Sequence, residues 1–135
     1  MALFRGEGAG SLPTREFVSL IVSSAPPAAG GYWAFVADQN YNVTAVREIH
    51  SVVGGASYAV AIRKIQVDGT APSAAAGANV IELLSSPISL ISTVNTLQVV
   101  SPAVSVVAKG DRLAFNFTGT NTGYVGEIQV ELQAA

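Results

Sequence analysis

In DRLAFNFTG, residues 111–119, Leu113, Phe115 and Phe117 alternate with Ala114, Asn116 and Thr118. In GEIQVELQ, residues 126–133, Ile128, Val130 and Leu132 alternate with Glu127, Gln129, Glu131 and Gln133. Successive side chains of a strand project to opposite faces, so a period of two with apolar residues on one side marks a half-buried strand. Two strands are therefore predicted, each with one wet face, joined by a Gly/Thr loop. Just upstream, Lys109-Gly110-Asp111-Arg112 gathers three charges in a chain where charges are scarce. Gly110 can take a positive φ freely, Asp111 can accept from nearby backbone donors, and Arg112 opens the next strand. A turn accounts for all four residues, and no chemistry is assigned to them.

The same grammar runs backwards along the chain. EFVSLIVSS (16–24) is rich in β-formers and stops at Ala25-Pro26-Pro27, where two backbone donors are missing. Gly30-Gly31 opens YWAFVAD (32–38), in which Trp33 and Phe35 share one face and read as core, with Tyr32, Ala34 and Val36 on the other. NVTAVREIHSVV (42–53) contains a change of phase: Val43 and Ala45 point one way, Val46, Glu48, His50 and Val52 the other. A bulge near Ala45-Val46 is expected. SYAVAIRKIQV (57–67) carries Tyr58, Val60 and Ile62 on one face and ends at Asp68-Gly69. TAPSAAAGA (70–78) reads as loop; NVIELLSS (79–86), ISLIS (88–92) and NTLQVVS (95–101) follow, with breaks at Pro87 and Pro102. Helical spacing persists nowhere. Residues 1–15, MALFRGEGAGSLPTR, show no periodicity and are expected to form an extended N-terminal arm. Residues 16–135 are expected to form a single all-β domain of eight or nine short strands, a sandwich or a barrel.

Composition narrows the function. Seven basic residues against nine acidic ones give a net charge of −2, and only Lys64 and Lys109 are lysines. Nucleic-acid binders draw affinity from phosphate neutralisation, so nucleic acid and anionic membrane are not expected partners. There are no cysteines, which removes disulfides and thiolate chemistry. Charged residues make up 12% of the chain, about half the usual share of ~25%. Interface cores are depleted in Lys, Glu and Asp, so much of this surface is expected to face other protein subunits.

The run into Gly110-Asp111-Arg112-Leu113, the alternating Phe115 and Phe117, the Gly/Thr loop and the last strand Gly126–Leu132 resemble the C-terminal hairpin of small jelly-roll proteins from tailed-phage virions. YWAFVADQNYNVTAVREIHSVV and the following strand with Ile62 and Ile65 resemble that group in their order of elements. The likeness spans roughly residues 32–133 and implies a jelly-roll-like antiparallel β-sandwich of about eight strands over residues 16–135. It implies a structural virion protein, not an enzyme: a capsid decoration (cement) protein, usually a homotrimer, that stabilises a phage head lattice by contact with the major capsid protein, assembled in the host cytoplasm. The alternative within the same group is a fibre or knob module recognising a glycan or host surface. The family has no catalytic residues to carry over and implies no cofactor.

Side chains that could carry chemistry are few. His50 is the sole histidine, and in Glu-Ile-His it shares a strand face with Glu48. A hydrogen-bonded strand pair explains both; a triad needs a nucleophile in reach, and no Gly-x-Ser-x-Gly elbow exists. Asp38, Asp68 and Asp111 are dispersed and read as turn residues rather than calcium ligands. Glu127 and Glu131 stand about 13 Å apart along one strand, too far for a glycosidase pair. Candidate partner-binding residues are Phe4, Arg5, Leu12 and Arg15 of the arm and the aromatics Tyr32 and Tyr41.

Overall fold

The computed structural model describes residues 15–135, and every regular element among them is a strand. In chain order these are β1 (Arg15–Val22), β2 (Gly30–Val36), β3 (Tyr41–Val52), β4 (Ala59–Ile65), β5 (Val80–Glu82), β6 (Ile88–Ser89), β7 (Gln98–Val100), β8 (Val106–Val107), β9 (Arg112–Thr118) and β10 (Val125–Ala134). All pairings are antiparallel. One sheet runs β1-β10-β3-β7, with β8 also on β3; the other runs β2-β9-β4-β5, with β6 also on β4. β5 with β6, and β7 with β8, are each one edge strand interrupted near Pro87 or Pro102. The effective count is eight, and the chain changes sheets at every step except from β4 to β5. This is the double-sheet jelly roll.

The core forms where the inner faces meet. Val18, Val46, Ile128, Val130 and Leu132 of the first sheet close on Phe35, Val60, Ile62, Leu113, Phe115 and Phe117 of the second. Each such side chain contributes roughly 1.5–3 kcal/mol by leaving water. Tyr58 stacks on Phe117 at 5.6 Å and meets Tyr124 edge-on at 5.6 Å. Burial pushes the Tyr58 hydroxyl up to about 12, and that hydroxyl donates to the Pro27 carbonyl at 2.6 Å. The expected turn at 109–112 is present. Gly110 has φ +89°, and the Asp111 carboxylate accepts from the Ala108 amide at 2.9 Å.

Three expectations are corrected. The bulge in β3 falls at Thr44, one residue early: Ala45 faces Glu131 and Val43 faces Leu132, so Thr44 has no partner in the ladder. A second irregularity lies near Ser51, where Val52 faces Val125 and His50 faces Gly126. In β2, Trp33 faces Ala114 and Phe35 faces Leu113, so Ala34 is an extra residue. This bulge turns Phe35 into the core and leaves Trp33 outside, 51% exposed. Finally, the outer face of β9 is wet only at its ends, at Arg112 and Thr118. Ala114 is fully buried and Asn116 nearly so, because a loop lies over them.

Candidate functional site

The covering loop is the Ala-rich segment after β4. The Gln66 amide donates to the Asn79 carbonyl at 3.0 Å, closing its base. Asn116 Nδ2 donates to the Pro72 carbonyl at 3.0 Å, and Arg63 Nη1 to the Ala74 carbonyl at 3.0 Å. Arg63 also reaches Asn116 Oδ1 at 3.2 Å and, through Nε, Glu82 Oε1 at 2.5 Å. Ala74 packs on the small apolar patch Ile65, Val80 and Ala114. The loop descends so closely on β2 that a Cβ on Gly31 would sit 2.4 Å from the Pro72 carbonyl group. The central part of the outer face of the second sheet is thus closed by its own chain, while Trp33 and Val36 on its β2 edge stay exposed.

The outer face of the first sheet has no such cover among the described residues. Register places Ile21 beside Glu127 and Glu127 beside Ile49; the next row holds Ser19, Gln129, Arg47 and Val99. Ile21 is 71% exposed, Val99 58% and Leu97 55%. Shallow depressions between these side chains bring Ile21, Ile49 and Leu97 around Glu127. The other end of this face is polar. Glu131 Oε1 accepts from the Thr44 hydroxyl at 2.6 Å, and Oε2 from Arg47 Nη1 at 3.1 Å. The Thr44 bond first, then Arg47 and Arg15, hold the Glu131 carboxyl below the usual carboxylate range despite its burial.

Beneath this face, inside the sandwich, lies a polar cluster. His50 Nδ1 and Glu48 Oε2 are 2.8 Å apart, and both side chains are wholly shielded from solvent. His50 Nε2 faces the Ser92 carbonyl at 2.8 Å, which can only accept, so Nε2 carries a proton. Gln98 Nε2 donates to Glu48 Oε1 at 2.6 Å, and the Tyr124 hydroxyl to Oε2 at 2.8 Å. Burial, reinforced by Glu48, drives the Tyr124 hydroxyl far above the ordinary phenol range. With every partner internal, this cluster ties β3 to β7 and to the segment before β10.

The expected site residues scatter. Phe4, Arg5 and Leu12 lie outside the described residues. Arg15 opens β1, with its guanidinium 3.7 Å from Glu131. Tyr32 is partly exposed, but its ring meets Phe117 edge-on and its hydroxyl donates to the Ala28 carbonyl at 2.9 Å. Tyr41 is corrected from a candidate contact residue to a core residue. It is 0% exposed, and its hydroxyl donates to Asp38 at 2.5 Å. It is buried because the bulge at Thr44 resets the β3 phase, carrying Tyr41 and Val43 inward together. Of the three aspartates, Asp38 holds Tyr41, Asp68 pairs with Arg112, and Asp111 caps its turn. Among the described residues no group of three or more His, Cys, Asp or Glu side chains converges. The stripe Ile21, Ile49, Leu97 and Val99 was missed; its signal was FVSLIV, apolar on both faces of one strand.

No family model and no curated protein matches the chain. Among solved structures, 98% of this chain is similar in fold to 36% of a chain in the structure of infectious bursal disease virus Gx strain, with TM-score 0.45 and 11% identity. This chain thus spans about a third of that chain's length.

Proposed function

We propose that this protein is a structural component of a virion, held by protein contacts through the outer face of the β1-β10-β3-β7 sheet. One observation carries the reading. The chain spends a loop, an arginine and an asparagine covering one sheet, and leaves Ile21, Ile49, Leu97 and Val99 bare on the other. A face of that kind is stable in water only at a cost that a partner removes. The low charge content and the resemblance to phage virion proteins support the same view.

In its finer form the protein is a capsid decoration (cement) protein, assembled in the host cytoplasm. It forms a trimer that seats on the major capsid protein, with the residues before β1 as the reaching element through Phe4, Arg5 and Leu12. A standard contact removes about 1,600 Å² from water. Three linked copies multiply attachment through effective concentration. Electron microscopy of intact particles tests this. Sandwich density on the head lattice is the expected result, and density confined to a tail tip, or none, overturns it.

A second reading, a fibre or knob module that binds a glycan, is favoured by exposed Trp33, since an indole face can stack on a sugar ring. Trp33 is the sole tryptophan, so its fluorescence reports directly on sugar titrations.

A further inference from the structure

A sandwich has four strand edges, and three here are defended. β5 with β6, and β7 with β8, are edges broken into pieces of two or three residues. β2 is bulged at Ala34 and overlain at Gly31 by Pro72. Short strands, bulges and covering loops are how sheets avoid unwanted pairing. Among the described residues, β1 has none of these. Its eight residues pair with β10 without a single irregularity, from Arg15 with Gln133 to Val22 with Gly126. Glu16–Val22, EFVSLIV, contains no Lys, Pro or Gly. On its other side, half of this strand's backbone donors and acceptors point away from β10.

We infer that β1 is a pairing edge and that its partner is β1 of a second copy, joined antiparallel about a two-fold axis at Ser19. The occupant of such an edge must be a strand, because only a strand supplies a matching row of N–H and C=O groups. The sequence favours itself. A pairing that keeps the in–out alternation continuous must place outward residues opposite outward ones. Centred on Ser19, it sets Phe17 against Ile21 and Val18 against Leu20 of the second copy, twice over. Centred on Val18, it sets Phe17 against Ser19 and Arg15 against Ile21. Centred on Leu20, it sets Ser19 against Ile21. The Ser19 register places apolar against apolar at Phe17, Val18, Leu20 and Ile21, leaving Glu16 opposite Val22 at each end of the pairing, and it extends the bare outer face across two copies. This contact is separate from a three-fold one and can join protomers of different trimers.

The chain has no cysteine, so Ser19→Cys places a single thiol on the axis. Opposed residues of an antiparallel pair have Cα atoms about 4.5 or 5.5 Å apart, within the span of a disulfide. Under mild oxidation, full-length S19C should form covalent dimer at least about tenfold faster than S86C, whose exposed site lies on a loop after β5. Adding Ile21→Lys to S19C, with the far-UV spectrum unchanged, should reduce the rate to the S86C level. Equal rates for S19C and S86C, or a fast rate that survives I21K, overturn the inference. A chain that decorates particles while S19C stays uncrosslinked sinks this contact alone. Rapid cross-linking of a chain absent from particles sinks the proposed function alone.

Discussion

The two sheets have equivalent inner faces and opposite outer ones. On the β2-β9-β4-β5 sheet the outward residues Ala114 and Asn116 are buried under the chain's own loop, pinned by Arg63. On the β1-β10-β3-β7 sheet the outward residues Ile21, Leu97 and Val99 remain open. The centre of one outer face is covered by the chain itself, with Trp33 and Val36 left exposed on its β2 edge, whereas the other outer face has no cover among the described residues. The difference teaches where stability and function separate: changes on the covered face should cost folding, and changes on the bare face should cost assembly.

The contrast must stop at the outer surface, because the interior beneath the bare sheet is as demanding as any core. Glu48→Ala removes the carboxylate that His50, Gln98 and Tyr124 all face. It should lower stability by about 3–5 kcal/mol in urea unfolding, the usual range for breaking a buried charged network. A loss under 1 kcal/mol would show the cluster to be hydrated.

Next in size, Arg63→Ala should cost about 2 kcal/mol, as it strips charge-assisted bonds from Glu82, Ala74 and Asn116 and unpins the loop. Its counterpart Arg47→Ala, on the bare sheet, should cost about 1 kcal/mol, because Arg47 is partly exposed and Thr44 still donates to Glu131. Equal losses in parallel denaturation curves would break the comparison.

Thr44→Val tests the polar end of the bare sheet. The folded Glu131 carboxyl titrates below its unfolded value, so its contribution to stability is present above the ordinary carboxylate range and is lost as pH falls through the folded value. The variant should be about 1 kcal/mol less stable at pH 7, and the gap to the parent should close in acid. A gap that is constant with pH would assign the loss to packing instead of charge.

The smallest stability effect should come from the double change Ile21→Ser with Val99→Ser, within about 0.5 kcal/mol because both side chains are already wet. Light scattering and particle occupancy should nonetheless show association lost. Unchanged association would move the interface elsewhere.

Much of the fold was legible because alternation is a local property. Leu113/Phe115/Phe117 and Ile128/Val130/Leu132 announced their inward faces from spacing alone, and Gly110-Asp111 announced its turn. The errors occurred where one extra residue shifts the phase. Trp33 and Phe35 share a face in any unbroken strand, and only the bulge at Ala34 parts them. Tyr41 looked like a surface aromatic beside a turn until the Thr44 bulge placed it in the core. The candidate interaction face was harder to see, since its rows join Ile21, Glu127, Ile49 and Val99 from four strands distant in sequence.

From the order of residues alone came the all-β class, the turns, the inward faces of the long strands and a composition poor in charge. These follow from side-chain periodicity, backbone permissiveness at Gly and Pro, and composition, none of which requires a distant contact. The third dimension decided which sheet is covered and which is bare, which edge is free to pair, and which polar groups are sealed inside. Each depends on residues tens of positions apart meeting across a ladder or under a loop, and no local pattern encodes that meeting.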